Sequence, residues 1–293
     1  MKLVDCFMYF DEDLVLDIRL NTLNNEVSKF IIVEATKNHA GKDKKLNFKI
    51  ENFSKFKDKI IYLVVNDIPQ GLKDVNSNDK ISDRNKKILD NSLIRENFQR
   101  NYLINGLRNC EEEDLVLLSD VDEIPNLEKF NPKKKISLFE QNVFYYKFNL
   151  KQPNFKWFGT RATKKKYLHS PQWLRNIKGK KYPLWRIDLL FSLKKYSDLE
   201  IVKNGGWHFT SVKKPEDLFF KFSNYLHHLE FEYSELNLED IKKIIKERKI
   251  IYDHSVHQEG KKFFSSKFLE KVNNDELPKY ISENQNKFID WLD

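Results

Sequence analysis

Short, almost continuously apolar segments separated by helical patterns are the feature that most limits how this chain can fold. Residues 29–35, 59–65 and 114–118 are each about as long as one strand, and residues 3–9 precede them with a similar pattern. Strands that are apolar on both faces are typical of parallel sheets covered by helices on both sides. The pattern predicts an α/β fold with a Rossmann-type mixed, mainly parallel sheet flanked by helices, and a ligand site at the carboxyl ends of the strands.

Other segments predict how the sheet is covered and where the chain divides. Apolar residues recur with a helical period in five segments: 14–23, 88–110, 215–229, 238–251 and 277–291. Two further segments, 143–149 and 157–168, resemble strands. No linker rich in Pro, Gly or Ser interrupts the pattern. We therefore expect a main domain in residues 1–235, with a C-terminal helical extension in residues 236–293 packed on it.

The composition indicates a basic surface. Lysine accounts for 43 of the 52 basic residues, and the formal net charge is +8. A solvated lysine-rich surface explains this charge, and so does attraction to a nucleotide-sugar, a nucleic acid or an anionic membrane, for which the basic run 242–249 is the candidate contact. No apolar run approaches the roughly 20 residues of a membrane span, the N-terminus does not resemble a signal peptide, and there are only two cysteines. These features predict a cytoplasmic protein with at most peripheral contact at the inner face of a membrane.

Several common catalytic and cofactor-binding motifs are absent. The eight glycines cannot form GxGxxG or GxxxxGK[ST], no His/Cys group has zinc spacing, and there is no GxSxG. These absences argue against a classical dinucleotide site, a P-loop, a structural zinc site and a serine hydrolase.

The acidic sequence Asp120-Val121-Asp122-Glu123 follows the predicted strand 114–118, with only Ser119 between them. In an extended backbone, residues two apart project to the same side, so Asp120 and Asp122 can share one hard divalent cation such as Mn²⁺ or Mg²⁺. Open positions on that cation would accept diphosphate oxygens. The alternative is an ordinary polar turn after a strand, where Asp is common.

Four segments, in order along the chain, resemble glycosyltransferase family 17: VDCFMYFDEDLVLDIRL, IIVEATKNHAGKDKKL, SDVDEIP and GGWHF. The resemblance spans residues 3–225 and implies a GT-A-like fold, a UDP-sugar donor (UDP-N-acetylglucosamine above all), a divalent cation, most often Mn²⁺, and inversion at the anomeric carbon. The family's best-known activity adds the bisecting N-acetylglucosamine to an N-glycan in β-1,4 linkage. Because the membrane anchor and lumenal stem of the animal members are not visible in this sequence, we expect a polysaccharide or lipid-linked glycan acceptor instead.

The resemblance also implies roles for residues around the metal. Asp122 would bind the cation directly, and Asp120 would contact it through water or bind the ribose. His208, in the sequence Gly205-Gly206-Trp207-His208, would complete the metal shell, and Trp207 would stack on a sugar face. The alternatives are a hydrogen-bonded structural histidine and a tryptophan packed in the core.

Three further residues are expected to contact the donor. Glu34 ends the second predicted strand, where a base or ribose would lie in such a fold. Arg95 and Arg100 lie on the helix before the acidic sequence, where scarce arginines would neutralise a diphosphate, with Arg161 and Arg186 as weaker candidates. A solvated strand end and an exposed helix face are the alternatives.

The general base is the least determined residue. Glu216 and Asp217, just after Pro215, fit the late position at a helix start that inverting GT-A enzymes favour, and Asp188 and Glu123 are the other candidates. Acids in a first helical turn are also ordinary capping residues, so the sequence leaves the choice open.

A metal-dependent nucleic-acid-binding or nucleic-acid-processing protein is the alternative function. The basic surface would attract phosphates and the acidic cluster would hold the metal. Against it, lysine predominates over the arginine preferred for reading bases, and no nucleic-acid-binding motif is recognisable. We therefore expect no nucleic-acid partner, and instead a nucleotide-sugar donor and a glycan or lipid-linked glycan acceptor.

Overall fold

The chain forms two compact units in the computed structural model. The described residues are 1–128, 130–180, 182, 192, 195–224, 231, 234–256, 262–264 and 266–293. The first unit is Met1–Gln141 with Phe158–Gly206, and the second is Asn142–Trp157 with Trp207–Asp293. These units do not follow the predicted boundary after residue 235, because the chain leaves the first unit at Gln141 and returns to it at Phe158.

The first unit is built on a parallel sheet. Strands β1 (Leu3–Met8), β2 (Val27–Ala35), β3 (Ile60–Val65) and β4 (Leu115–Asp120) are all parallel and lie in the order β3-β2-β1-β4. Most side chains of β1, β2 and β4 are buried, whichever face of the sheet they are on. The apolar segments therefore form the covered centre of the sheet, which confirms the predicted mixed α/β class.

Further strands make the first unit's sheet mixed. After β4 the chain continues through β5 (Glu123–Pro125) and β6 (Ile136–Tyr145). The last residues of β7 (Leu150–Lys164) pair antiparallel with β4, so that Arg161 lies opposite Leu118. Strand β8 (Leu199–Val202) pairs parallel with the first half of β6.

Helices of the first unit bring side chains to the ends of these strands. They are α1 (Asp13–Leu23), α2 (Ile81–Tyr102) and α3 (Pro171–Asn176), with 3₁₀ segments at Ile50–Phe56, Leu103–Leu107 and Lys165–Tyr167. Helix α3 is short, but its N-terminus is capped. Ser170 accepts a hydrogen bond from the Trp173 amide at 3.1 Å, and Pro171 occupies the first turn. No helix in the described part of the chain has both the length and the apolar character needed to cross a membrane.

The second unit combines short strands with helices. Strand β9 (Gly206–Thr210) pairs parallel with the end of β6, and β10 (Glu270–Lys271) pairs antiparallel with the start of β7. Its described helices are α4 (Pro215–Asn224), α5 (Leu238–Lys246) and α6 (Lys279–Glu283), with 3₁₀ segments at Lys262–Phe264, Asn274–Glu276 and Gln285–Trp291. The predicted helix 238–251 is shorter than expected, because α5 ends at Lys246, and the C-terminal segment contains a strand that was not predicted.

Candidate functional site

The acidic segment Asp120–Glu123 is the turn between β4 and β5. Asp120 is the last residue of β4, Glu123 is the first of β5, and only Val121 and Asp122 lie between them. Asp120 and Asp122 are partly exposed, whereas Val121 and Glu123 are buried. The predicted position of the motif, at the carboxyl end of a buried parallel strand, is therefore confirmed.

Two arginines hold the carboxylate of Asp120. Arg175, from α3, places Nη2 2.6 Å from Oδ2, and Arg100, from α2, places Nη2 3.2 Å from Oδ1. Arg100 also donates to Glu96 at 2.8 Å and to Gln172 at 2.6 Å. Arg100 was predicted at this site, and its buried guanidinium is anchored there by these contacts.

Glu123 has a structural role and does not act as the general base. Its carboxylate is 1% exposed and accepts two hydrogen bonds from Arg175, at 2.7 and 2.9 Å, and one from the Asp120 amide at 2.9 Å. Burial alone lowers the pKa of Arg175, but Asp120 and Glu123 beside it raise the pKa more strongly, so the net shift is upward. Glu123 is therefore fixed in a bidentate ion pair and is not available as the general base.

Arg161 adds a buried positive charge that interacts electrostatically with the carboxylates of Glu123 and Asp120. It donates to the Gly159 carbonyl at 2.6 Å, and its Nε has no hydrogen-bond partner in the described part of the chain. Burial, and after it the charge of Arg175, lower the pKa of Arg161 to about 9. The guanidinium therefore stays protonated at neutral pH and favours a negatively charged group beside the acidic segment.

A cavity of about 240 Å³ lies at the carboxyl ends of β2 and β3 in the same unit. Its polar lining includes His39, Arg95 and Gln99, and its other lining residues are Ala35, Thr36, Lys37, Gly41, Val65, Asp67, Ile68, Pro69, Leu72 and Phe98. Arg95 donates to the His39 carbonyl at 3.2 Å, and the His39 ring lies 3.2 Å from Gln99 Oε1. Burial lowers the pKa of His39, which favours the neutral imidazole. Because Gln99 lines the cavity and the next residue, Arg100, binds Asp120, α2 connects the cavity with the acidic segment.

Glu34 has a different role from the predicted donor contact. Its carboxylate is fully buried and accepts hydrogen bonds from the Asn47 amide at 2.8 Å, the Phe48 amide at 3.1 Å and the Tyr62 hydroxyl at 2.8 Å. It also forms an ion pair with Lys44. Because the protein occupies both oxygens, Glu34 anchors the loop after β2 instead of facing a nucleotide.

His208 and Trp207 lie in the second unit. His208 is buried, and its ring centre is 5.4 Å from that of Trp157 and 6.1 Å from that of His254. Trp207 is partly exposed and donates from Nε1 to the Glu276 carbonyl at 2.6 Å. Their roles at a metal and a sugar remain predictions.

The candidate bases Glu216 and Asp217 are exposed residues in the first turn of α4. The Glu216 carboxylate is 3.6 Å from the Lys242 ammonium. Both acids are placed where the helix dipole favours them, so capping explains them as well as catalysis does. Asp188 lies outside the described residues, as does Arg186.

The acidic segment suits a hard divalent cation, although not all of its carboxylates can serve. Mn²⁺ and Mg²⁺ prefer carboxylate oxygens, but those of Glu123 are already bound by Arg175. Asp120 shares its oxygens with Arg175 and Arg100, so a cation would compete with two guanidinium groups for them. Among the described residues, no three His, Cys, Asp or Glu side chains are arranged to hold a metal on their own.

Two arginines at this site were missed by sequence reasoning. Arg175 lies in a segment with no strong pattern, and Arg19 lies within the apolar face of α1, where it is completely buried. The sequence did contain a signal for each residue: the scarcity of arginine for Arg175, and a charge within an apolar helix for Arg19. Arginine is scarce in this chain, and a buried charge in an apolar helix requires an opposite charge nearby, which Asp5 in the apolar strand β1 provides.

The fold and site together define a class of protein. A parallel sheet, a cavity at its carboxyl edge and an acidic segment at the end of a neighbouring strand are typical of α/β enzymes that bind nucleotide ligands. The chain belongs to glycosyltransferase family 17, whose family model matches residues 1–292. A search of curated proteins gives no significant match. Family membership confirms the predicted family and supports glycosyl transfer over the nucleic-acid alternative.

Proposed function

We propose that this protein is an inverting, metal-dependent glycosyltransferase that moves N-acetylglucosamine from UDP-N-acetylglucosamine to a hydroxyl of a polysaccharide or lipid-linked glycan. The observation that carries the proposal is that one unit holds both the cavity and the arginine-bound acidic segment, connected by Gln99 and Arg100 on α2. Family 17 membership supports sugar transfer as the reaction. The proposed linkage is β-1,4. The proposed location is the cytoplasm, where the basic run 242–249 would contact anionic lipid.

The cavity suits the nucleoside portion of the donor. Its volume of about 240 Å³ is below the range of about 300–1,000 Å³ that encloses a whole drug-sized ligand. It therefore fits one part of a nucleotide-sugar and leaves the diphosphate and the sugar outside. Gln99, His39 and Arg95 supply a few directed polar groups among apolar walls, as recognition of a base or ribose requires.

The acidic segment suits the diphosphate end of the donor. A bound divalent cation would supply charge neutralisation for the leaving diphosphate, with Asp122 as the direct ligand and Asp120 in contact through water or the ribose. Arg161 and Arg100 contribute buried positive charge beside it, and each has an Nε with no hydrogen-bond partner among the described residues. Glu216, Asp217 and Asp188 stay the candidates for the base that takes the proton from the acceptor hydroxyl.

We expect turnover of one UDP-sugar, with UDP-N-acetylglucosamine tested first, in the presence of Mn²⁺ and a glycan acceptor. Chelation by EDTA should abolish this turnover, because nothing else in the proposal neutralises the leaving diphosphate fully. UDP release measures the turnover, and NMR of the product measures inversion as a β-linkage formed from an α-linked donor. The absence of both metal-dependent turnover and metal-dependent binding of any UDP-sugar would reject the proposal, and salt-sensitive binding to a polynucleotide would then favour the alternative.

The cavity can be tested with two glycines that share a backbone conformation. Gly41 and Gly71 have φ values of +86° and +82°, so alanine strains both alike. A Cβ at Gly41 would lie 2.6 Å from Arg95 Nη2, whereas one at Gly71 would meet nothing within 4 Å. The displaced Arg95 guanidinium would lose its charged hydrogen bond to UDP, which is worth roughly 1.5–3 kcal/mol. We therefore expect Gly41→Ala to weaken UDP binding about tenfold or more.

Isothermal titration calorimetry measures the affinity of both glycine variants for UDP, and Gly71→Ala is the matched control. Wild-type affinity in Gly71→Ala with weaker binding in Gly41→Ala would support the cavity as the nucleoside site. If UDP bound Gly41→Ala and Gly71→Ala with equal affinity, the nucleoside would bind outside this cavity.

A further inference from the structure

Arg19 is completely buried beneath the acidic segment. It extends from α1, and its Nε and Nη2 donate to the two oxygens of Asp5 at 2.7 and 2.6 Å. Asp5, on β1, is equally buried. The guanidinium also lies 4.6 Å from the centre of the Phe7 ring. The pair is thus a fixed ionic contact between the first strand and the first helix.

The remaining guanidinium nitrogen of Arg19 binds the backbone of the acidic segment. Nη1 donates to the carbonyl oxygens of Asp120 at 3.2 Å, Val121 at 3.3 Å and Glu123 at 2.8 Å. Three of the four carbonyls in this turn therefore face one nitrogen. A side chain from a distant part of the chain holds the backbone of the segment, while Arg175 and Arg100 hold its carboxylates.

We propose that Arg19 is a positioning residue for the transfer reaction, fixing the Asp120–Glu123 backbone so that the Asp122 carboxylate is held ready for the cation. This inference rests on the proposed function. A buried ion pair is commonly no more stabilising than a well-packed apolar pair, so stability alone does not require an arginine here. Binding three carbonyls of one turn does require it, because only the planar five-donor guanidinium can serve Asp5 and the turn together.

Two variants separate positioning from stability. Arg19→Lys keeps a charge beside Asp5 but has too short a reach to serve the turn as well. The double variant Asp5→Val/Arg19→Met replaces the pair with apolar side chains and removes every contact to the turn. In both, we expect amides in residues 119–125 to exchange with solvent at least about tenfold faster, and Mn²⁺ affinity and kcat to fall about 10–100-fold.

Hydrogen exchange by mass spectrometry, Mn²⁺ binding by electron paramagnetic resonance and steady-state kinetics provide the readouts. Asp114→Asn is the matched control, since Asp114 is buried at the opposite end of β4, where it accepts from the Lys2 and Glu111 amides at 2.7 and 3.0 Å. It should lose stability without faster exchange at 119–125 and without weaker Mn²⁺ binding.

The outcomes are distinct. Unchanged exchange at residues 119–125 in folded Arg19→Lys, or unchanged Mn²⁺ affinity and kcat in that variant, overturns the role of Arg19. Losses in Asp114→Asn as large as those in Arg19→Lys overturn it too, because the effect would then follow stability alone. Wild-type protein that turns over no donor rejects the proposed function itself, and that result does not depend on any Arg19 variant.

Discussion

Asp122→Asn is expected to lower kcat about 10³-fold while the protein stays folded. A metal ion supplies several kcal/mol of charge stabilisation at a transferring group, and each roughly 1.4 kcal/mol changes the rate tenfold. Asn keeps the size of the side chain but removes the charge that a hard cation requires. Because Asp122 is only partly buried, the free energy of unfolding should change by less than about 1 kcal/mol.

The measurement is UDP release at saturating donor across a Mn²⁺ titration, together with urea unfolding. Glu112→Gln is the control, because it removes an exposed acid from the loop before the other end of β4. It should leave both turnover and stability unchanged. Wild-type turnover in Asp122→Asn would show that the acidic segment is a turn and not the metal site.

The central strands could be predicted from the sequence because a strand buried on both faces is a short, continuously apolar segment. The segments 29–35, 59–65 and 114–118 became β2, β3 and β4 with shifts of no more than two residues at either end. The start of α2 could not be predicted, because residues 81–84 at its beginning are exposed and carry no apolar periodicity. The antiparallel pairing of β7 with β4 and with β10 joins distant segments, and no local pattern records it.

Apart from Arg100 on α2, the candidate site was predictable only where its chemistry is local. Asp120 and Asp122 are two residues apart after a buried strand, so spacing alone indicated a shared ligand. Their partners are remote: Arg19 is 101 residues from Asp120, and Arg175 is 55 residues from it. Glu34 shows the opposite error, because an acid at a strand end was expected to face a ligand and instead binds its own loop.

Arg175→Met is expected to cause the largest loss of stability among these variants, about 3–5 kcal/mol in the free energy of unfolding. The physical reason is that Glu123, 1% exposed, would keep its carboxylate without the guanidinium that donates two hydrogen bonds to it. An unpaired buried charge costs about this much, even where the intact pair contributes little net stability. Urea unfolding followed by circular dichroism measures the loss.

The same reasoning predicts a rescue. In Arg175→Met/Glu123→Gln the buried charge is gone, and the Gln side chain can still accept the 2.9 Å hydrogen bond from the Asp120 amide, so more than half of the lost stability should return. Arg84→Met, which removes an exposed arginine from the first turn of α2, should cost less than about 0.5 kcal/mol. If the double variant were no more stable than Arg175→Met, the stability loss would come from the packing of α3, and Arg175 would not be the residue that makes a buried Glu123 carboxylate tolerable.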